Sequence, residues 1–209
     1  MSTTAFVLGN GESRKGIKIA DMQKHGTVFA CNGVYRTETP DFLIAVDPKM
    51  VYEIAESDYP AEHQVWSNFN HQYNNNKKIL NTVNWFKPSL GWSSGPTALK
   101  MAADKGFENI YILGFDYQGH AINAKNQTCK FNNIFKDTRN YKKSIDSATF
   151  HGNWLNQTKR VLRDYPKIKF HRVTTSDSFN PHDLDFAENF NNVHIDQFVK
   201  IYNLQVEKS

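Results

Sequence analysis

Ser93-Ser94-Gly95-Pro96-Thr97-Ala98-Leu99-Lys100-Met101-Ala102-Ala103-Asp104-Lys105-Gly106-Phe107-Glu108-Asn109-Ile110-Tyr111-Ile112-Leu113-Gly114-Phe115-Asp116 reads as a helix that feeds a buried strand. Ser94 can cap the helix, and Pro96 is tolerated in a first turn because its missing N–H would have no partner there. Ala98, Leu99, Met101, Ala102 and Ala103 continue the helix, and Gly106 suits the left-handed residue that ends one. Asn109 to Leu113 is then a short apolar run, stopped at Gly114-Phe115-Asp116.

The same alternation runs outward from this unit. Thr4-Ala5-Phe6-Val7-Leu8 predicts a buried parallel strand ended by Gly9, and a helix is expected from Ser13 through Ile17, Ile19 and Met22 to Lys24. Thr27–Cys31 and Asp41–Val46 predict the next strands, the latter halted by Asp47-Pro48. A short helix over Lys49–Glu56 and a strand over His63–Trp66 follow. Asn68–Lys78 is Asn-rich and reads as a loop. Gly152–Asp164 predicts a helix with Leu155, Val161 and Leu162 inward, and Ile168–Val173 a returning strand. Residues 117–148 are long, polar and poorly periodic, which marks a lid-like insertion after the Gly114-Phe115-Asp116 strand end. Residues 180–209 read as a C-terminal segment of one or two packing helices.

Strands alternating with helices predict an α/β fold, a single Rossmann-like domain over residues 1–209 with a mostly parallel sheet and helices on both faces. Ligands of such sheets bind at the carboxyl ends of the strands. That rim gathers the Gly9–Ser13 loop, Asn32-Gly33, Asp47-Pro48 and Gly114–Tyr117.

Composition bounds the function. The 209 residues are 39% hydrophobic, enough for a core. The net charge of +4 suits an anionic ligand such as a nucleotide phosphate. It permits nucleic-acid contact without pointing to it, because Lys77-Lys78 and Lys142-Lys143 are only pairs. Two cysteines, Cys31 and Cys129, form neither a disulfide framework nor a metal site, so a reducing, cytoplasmic setting is expected. No signal-peptide pattern opens the chain, and no stretch nears the roughly 20 apolar residues of a membrane span. The oligomeric state is left open.

The chemistry-bearing residues cluster in three places. Gly9-Asn10-Gly11 is a turn without side-chain obstruction, serving either phosphate binding by its amides and those of Ser13 or close packing. Ser93-Ser94-Gly95 offers two hydroxyls and a helix N-terminus; a cap would explain one serine and leave the other free. Asn32 either hydrogen-bonds a base or sugar or serves the turn, and His151, before a helix, is either structural or catalytic.

These motifs resemble the bacterial sialyltransferases of the Campylobacter type, the inverting glycosyltransferases grouped as family 42. Members open with a strand and a Gly-Asn-Gly-x-Ser loop, as in Gly9–Ser13, and their second strand ends similarly to Ala30-Cys31-Asn32. A Thr-Ser-Gly helix start and a Gly-(Tyr/Phe)-x-x-Ile-Tyr-Leu-x-Gly-x-Asp run are similar to Ser93-Ser94-Gly95 and Gly106 through Asp116. An Ile-Gly-His, a helix and a Lys-Ile-Lys strand resemble Phe150-His151, its following helix and Lys167-Ile168-Lys169. The likeness extends to Ser178. It implies transfer of sialic acid from its cytidine monophosphate ester to an acceptor hydroxyl on a glycan or other molecule, with inversion, no metal and no cofactor. It implies nucleotide contacts from Asn10 and Asn32, donor or phosphate contacts from Ser93 and Ser94, and His151 as base.

Two departures matter. The family carries an Asn near the end of the third strand, where this chain has Asp47, whose carboxylate suits a ribose hydroxyl or sugar amide better than a phosphate. Of the family's paired lid tyrosines, Tyr117 lies near the first and Tyr141 is a loose match for the second. The chain also lacks the family's C-terminal membrane-associating part, which counts against a lipid-linked acceptor. In the expected reaction an imidazole takes the acceptor proton, while Ser93, Ser94 and Tyr117 stabilise the departing phosphate. His120, in the Gly119-His120 turn, is the competing base. Three alternatives stand beside this reading. One is glycosylation of a hydroxymethylated DNA base. Another is a pterin pyrophosphokinase-like enzyme holding Mg²⁺ on Asp47 and Asp116. The third is a nucleotide-binding module without catalysis.

Overall fold

Strand β1 (Thr4–Leu8) sends Phe6 and Leu8 into one apolar layer and Ala5 and Val7 into another, and all are fully buried. A run without polar breaks is what a strand covered on both faces requires. The computed structural model describes residues 3–123 and 126–207, with the side chains of 120–129 left aside. It builds β2 (Thr27–Cys31), β3 (Phe42–Ile44), β4 (Val65–Ser67), β5 (Val83–Trp85), β6 (Asn109–Leu113), the hairpin β7 (His120–Asn123) and β8 (Asn126–Lys130), then β9 (Lys169–Thr174) and β10 (Phe190–His194). Eight of these form one sheet in the order β10-β9-β6-β1-β2-β3-β4-β5, and every pairing is parallel. The α/β architecture with a parallel sheet is as the sequence predicts.

The handedness rule assigns the helices to the two faces. Right-handed crossovers that step from β1 toward β5 put their helices on one face; steps the other way, through β6 to β9, use the opposite face. Accordingly α1 (Ile19–Met22), α2 (Pro48–Glu56), α3 (Tyr59–Glu62) and α4 (Lys77–Thr82) pack with Phe6 and Leu8, while α5 (Ser94–Asp104) and α6 (Gly152–Asp164) pack with Ala5 and Val7. Helix α7 (Ile195–Tyr202) returns to the first face, where Phe198 and Tyr202 meet the Phe6 ring edge-on. Among the described residues no helix is long and apolar enough to cross a membrane.

Several expectations are corrected. The helix expected from Ser13 to Lys24 is only a 3-10 turn over Glu12–Arg14 and the four-residue α1, because Gly16 takes a left-handed φ of +86° between them. The Asn-rich stretch leads into α4 and the edge strand β5. The tail contributes a strand as well as a helix: β10 buries only Val193, so its alternation is nearly silent in the sequence. Residues 117–148 contain the β7–β8 hairpin, and 131–149 then runs beside the carboxyl rim.

Candidate active site

At the carboxyl rim, β1 and β6 lie side by side, yet the chain leaves β1 toward β2 and β6 toward β9. Diverging connections open a crevice at such a switch point. It holds a cavity of about 490 Å³, within the usual span for small-molecule sites. Asn10, Gly11, Asn32, Asp47, Ser93, Ser94, Asp116, Tyr117 and His151 all line it; Gly9, Ser13 and Gly95 do not. The side chains of His120 and Cys129 lie outside the described residues.

Four of the five amides of the Gly9–Ser13 loop are already taken by the protein. Gly9 N donates to Leu113 O at 2.8 Å, Gly11 N to Gly114 O at 3.0 Å, and Glu12 N to Asn132 Oδ1 at 2.9 Å. Ser13 donates both its hydroxyl and, at 3.2 Å, its amide to the Asp116 carboxylate. Asn132 Nδ2 adds a third donor to Asp116 at 3.0 Å. A phosphate here would compete with a carboxylate, and only a 3-10 turn, not an α-helix, starts there. Of the two readings of this loop, close packing accounts for the bonds of Gly9, Gly11 and Ser13, and Gly11 also lines the cavity. A Cβ on Gly11 would meet the Asp116 carboxylate and come within 2.7 Å of Gly114 O. Asn10 reaches the cavity but is held from several sides. Its Nδ2 donates to Cys31 O at 3.0 Å and to the Tyr141 hydroxyl at 3.2 Å, and its Oδ1 accepts from Arg14 at 3.2 Å. Arg14, which no motif marks, is buried beneath the loop with Nε on Gly9 O at 2.6 Å; burial lowers its pKa, against the pull of Glu38.

The head of α5 differs. Ser93 is its N-cap, but neither serine caps through its hydroxyl, which corrects that expectation. Thr97 N takes Ser93 O at 3.0 Å and Pro96 has no N–H, so the Ser94 and Gly95 amides have no intrahelical partner. Ser94, buried, donates its hydroxyl to Asn32 Oδ1 at 2.8 Å and accepts from Val46 N at 3.1 Å, tying the ends of β2 and β3 to the helix. Asn32 holds a left-handed φ of +54°, a conformation asparagine tolerates. Gly95 is a packing glycine: a Cβ would lie 2.5 Å from the Trp154 ring. Asp47 caps α2 by accepting from Lys49 N at 2.9 Å and is otherwise exposed on the rim.

No family model matches the chain, and no curated protein does. Solved structures do. A monofunctional α-2,3-sialyltransferase from Campylobacter jejuni is similar at a TM-score of 0.50 and 17% identity, over 100% of this chain and 86% of that one. An α-2,3-sialyltransferase from the same organism in apo form gives 0.50 at 15% identity with the same coverage. The chain has the fold of these sialyltransferases.

His151 stands at the head of α6, facing the cavity. Its Nε2 is buried and has no hydrogen-bond partner. Burial lowers its pKa, the nearby Lys142 adds to that, and Asp116 opposes it, so the ring is a neutral base at pH 7. Tyr117 departs from expectation. Its hydroxyl donates to Thr158 Oγ1 at 3.0 Å, inside α6, and the guanidinium of buried Arg172 lies 5.2 Å from its ring. Burial pushes its pKa to about 12, and the hydroxyl assigned to a departing phosphate is already in use. Tyr141 is better placed. Its oxygen accepts from Gly33 N at 2.9 Å and from Asn10 Nδ2, and its own proton is donated to no described residue. Burial raises its pKa to about 12, so the phenol stays a donor. Arg36, which no sequence signal marks, braces this segment: it donates to Thr138 Oγ1, Arg139 O and Glu53 Oε1, each at 2.7 Å, with its guanidinium 5.4 Å from the Tyr141 ring. Among the described residues no group of three or more His, Cys, Asp or Glu is placed to hold a metal.

Proposed function

We propose that the protein is a glycosyltransferase that moves a sugar from a nucleotide-activated donor to an acceptor hydroxyl. The observation that carries this reading is the unpartnered, buried Nε2 of His151 on the same cavity as Ser93 and Ser94 at the start of α5. One offers a proton acceptor and the other an anion site, the two demands of glycosyl transfer. The sialyltransferases that share the fold make an activated sugar the substrate class to try first. The resemblance in the motifs favours cytidine as the base.

In this reading the donor phosphate sits at the α5 head, against Ser93 and Ser94. The acceptor O–H gives its proton to His151 Nε2 while its oxygen bonds to the anomeric carbon. The bond from that carbon to the phosphate oxygen breaks, and its electron pair leaves with the nucleotide. A single displacement inverts the anomeric centre. Tyr141 donates its proton as a hydrogen bond to the growing negative charge, and residues 131–149 form the lid. The reading includes no metal and no cofactor.

A thermal-melt panel of cytidine, uridine, guanosine and adenosine nucleotides, with and without Mg²⁺, tests it, because a ligand of the native state raises stability. A rise with a nucleotide or nucleotide sugar in the absence of metal is expected. A rise with Mg²⁺-ATP alone would favour the pyrophosphokinase-like alternative, and no rise at millimolar ligand would overturn the reading.

A further inference from the structure

We propose that the sugar of the donor carries no carboxylate, and that Asp47 is the residue that rejects one. The proposal rests on the cavity's being a nucleotide-sugar site, and it narrows the donor away from the sialic acid that the sequence resemblance implies.

Among the described residues the cavity's lining includes two carboxylates, Asp47 and Asp116, and neither a lysine nor an arginine. Lys142 lies near enough to act on His151, but its ammonium donates to Ser147 O at 3.3 Å and does not line the space. Among the described residues the head of α5, whose first amides have no intrahelical partner, favours an anion, and the proposed phosphate takes that corner.

A second negative group would have to sit elsewhere. Asp116 offers it nothing, since its own charge already collects Ser13 N, Ser13 Oγ and Asn132 Nδ2. Asp47 is worse. It directly follows Val46, whose amide is bonded to Ser94, and it lines the same cavity as Ser94. One of its oxygens accepts from Lys49 N, and no hydrogen bond from a described residue engages the other. That free oxygen repels a sugar carboxylate and accepts from a sugar hydroxyl or N-acetyl N–H. Asn32, Asn153, Gln118 and Gln157 supply further neutral donors and acceptors around the space. A neutral hexose or N-acetylhexosamine fits such a wall.

Calorimetric titration with two donor pairs tests this. UDP-glucose and UDP-glucuronate differ by a hydroxymethyl against a carboxylate, and CMP-3-fluorosialic acid is compared with its neutral carboxamide. For whichever nucleotide binds, the carboxylated ligand should bind at least tenfold more weakly than its partner, and Asp47→Asn should close most of that gap. Asparagine caps a helix as well as aspartate does, so the variant keeps α2. A carboxylated ligand binding as tightly as its partner, or a gap that survives Asp47→Asn, overturns the inference while leaving the donor site standing. If none of the four ligands binds, the donor-site reading falls and the inference falls with it.

Discussion

Replacing Ser94 by alanine removes one oxygen from the junction of β2, β3 and α5, and the consequences can be worked through. The hydroxyl is buried, donates to Asn32 Oδ1 at 2.8 Å and accepts from Val46 N at 3.1 Å. At a net ~0.5–1.5 kcal/mol per hydrogen bond, losing both costs about 1–3 kcal/mol. For a chain of this size that lowers Tm by roughly 2–4 °C per kcal/mol. It is not the loss of a cap, because the hydroxyl caps nothing. The functional effect comes through Asn32. Without its donor the carboxamide is free to rotate, and the helix start is no longer pinned to the rim. Denaturation of the free protein and titration with the best-bound nucleotide should therefore both respond, with affinity falling about tenfold, or ~1.4 kcal/mol. Full loss of stability with unchanged affinity would refute the reasoning, since Ser94 would then be structural alone.

His151→Ala should leave nucleotide affinity nearly intact and cut turnover by about 10²–10⁴-fold, read as donor transfer or hydrolysis. The pH dependence has a definite sign. Burial lowers the pKa of His151 and of His171 in the folded state, so the unfolded chain binds more protons below the ordinary histidine value near ~6.5. Stability should be fully present above that pH and decline as pH falls from it toward the folded values. The acid limb of kcat/KM should likewise lie below ~6.5, and a limb above it would contradict the assignment of His151. Tyr117→Phe should lower stability by about 1 kcal/mol with little change in turnover, whereas Tyr141→Phe should lower turnover with a smaller effect on stability. The reverse pattern would return the phosphate-stabilising role to Tyr117.

Much of the fold is legible in local periodicity. Strands β1, β2 and β6 are apolar without break because both faces are covered, and α5 and α6 show their inward residues at helical spacing. The elements that escaped are those with little buried surface: β5 and β10 lie at the sheet edges, and α1 spans four residues. The site was legible in position more than in role. The order of strands and turns put Asn10, Asn32, Asp47 and Asp116 on one rim, the family resemblance added Ser94 and His151, and all six line one cavity.

What the sequence by itself determined, then, is which segments alternate, which ends face the rim, and which residue types stand there. The tertiary structure decided which of their donors remain free. Ser13 and Asp116 are 103 residues apart and satisfy each other; Tyr141 reaches Gly33 across 108 residues; and Tyr117 turns its hydroxyl into α6. The reason is physical. Hydropathy and turn propensity are properties of neighbours along the chain, whereas a hydrogen bond is settled by whichever partner the fold brings within about 3 Å. Only the packed molecule shows that most amides of the Gly9 loop are already taken and that the first amides of α5 have no partner within the helix.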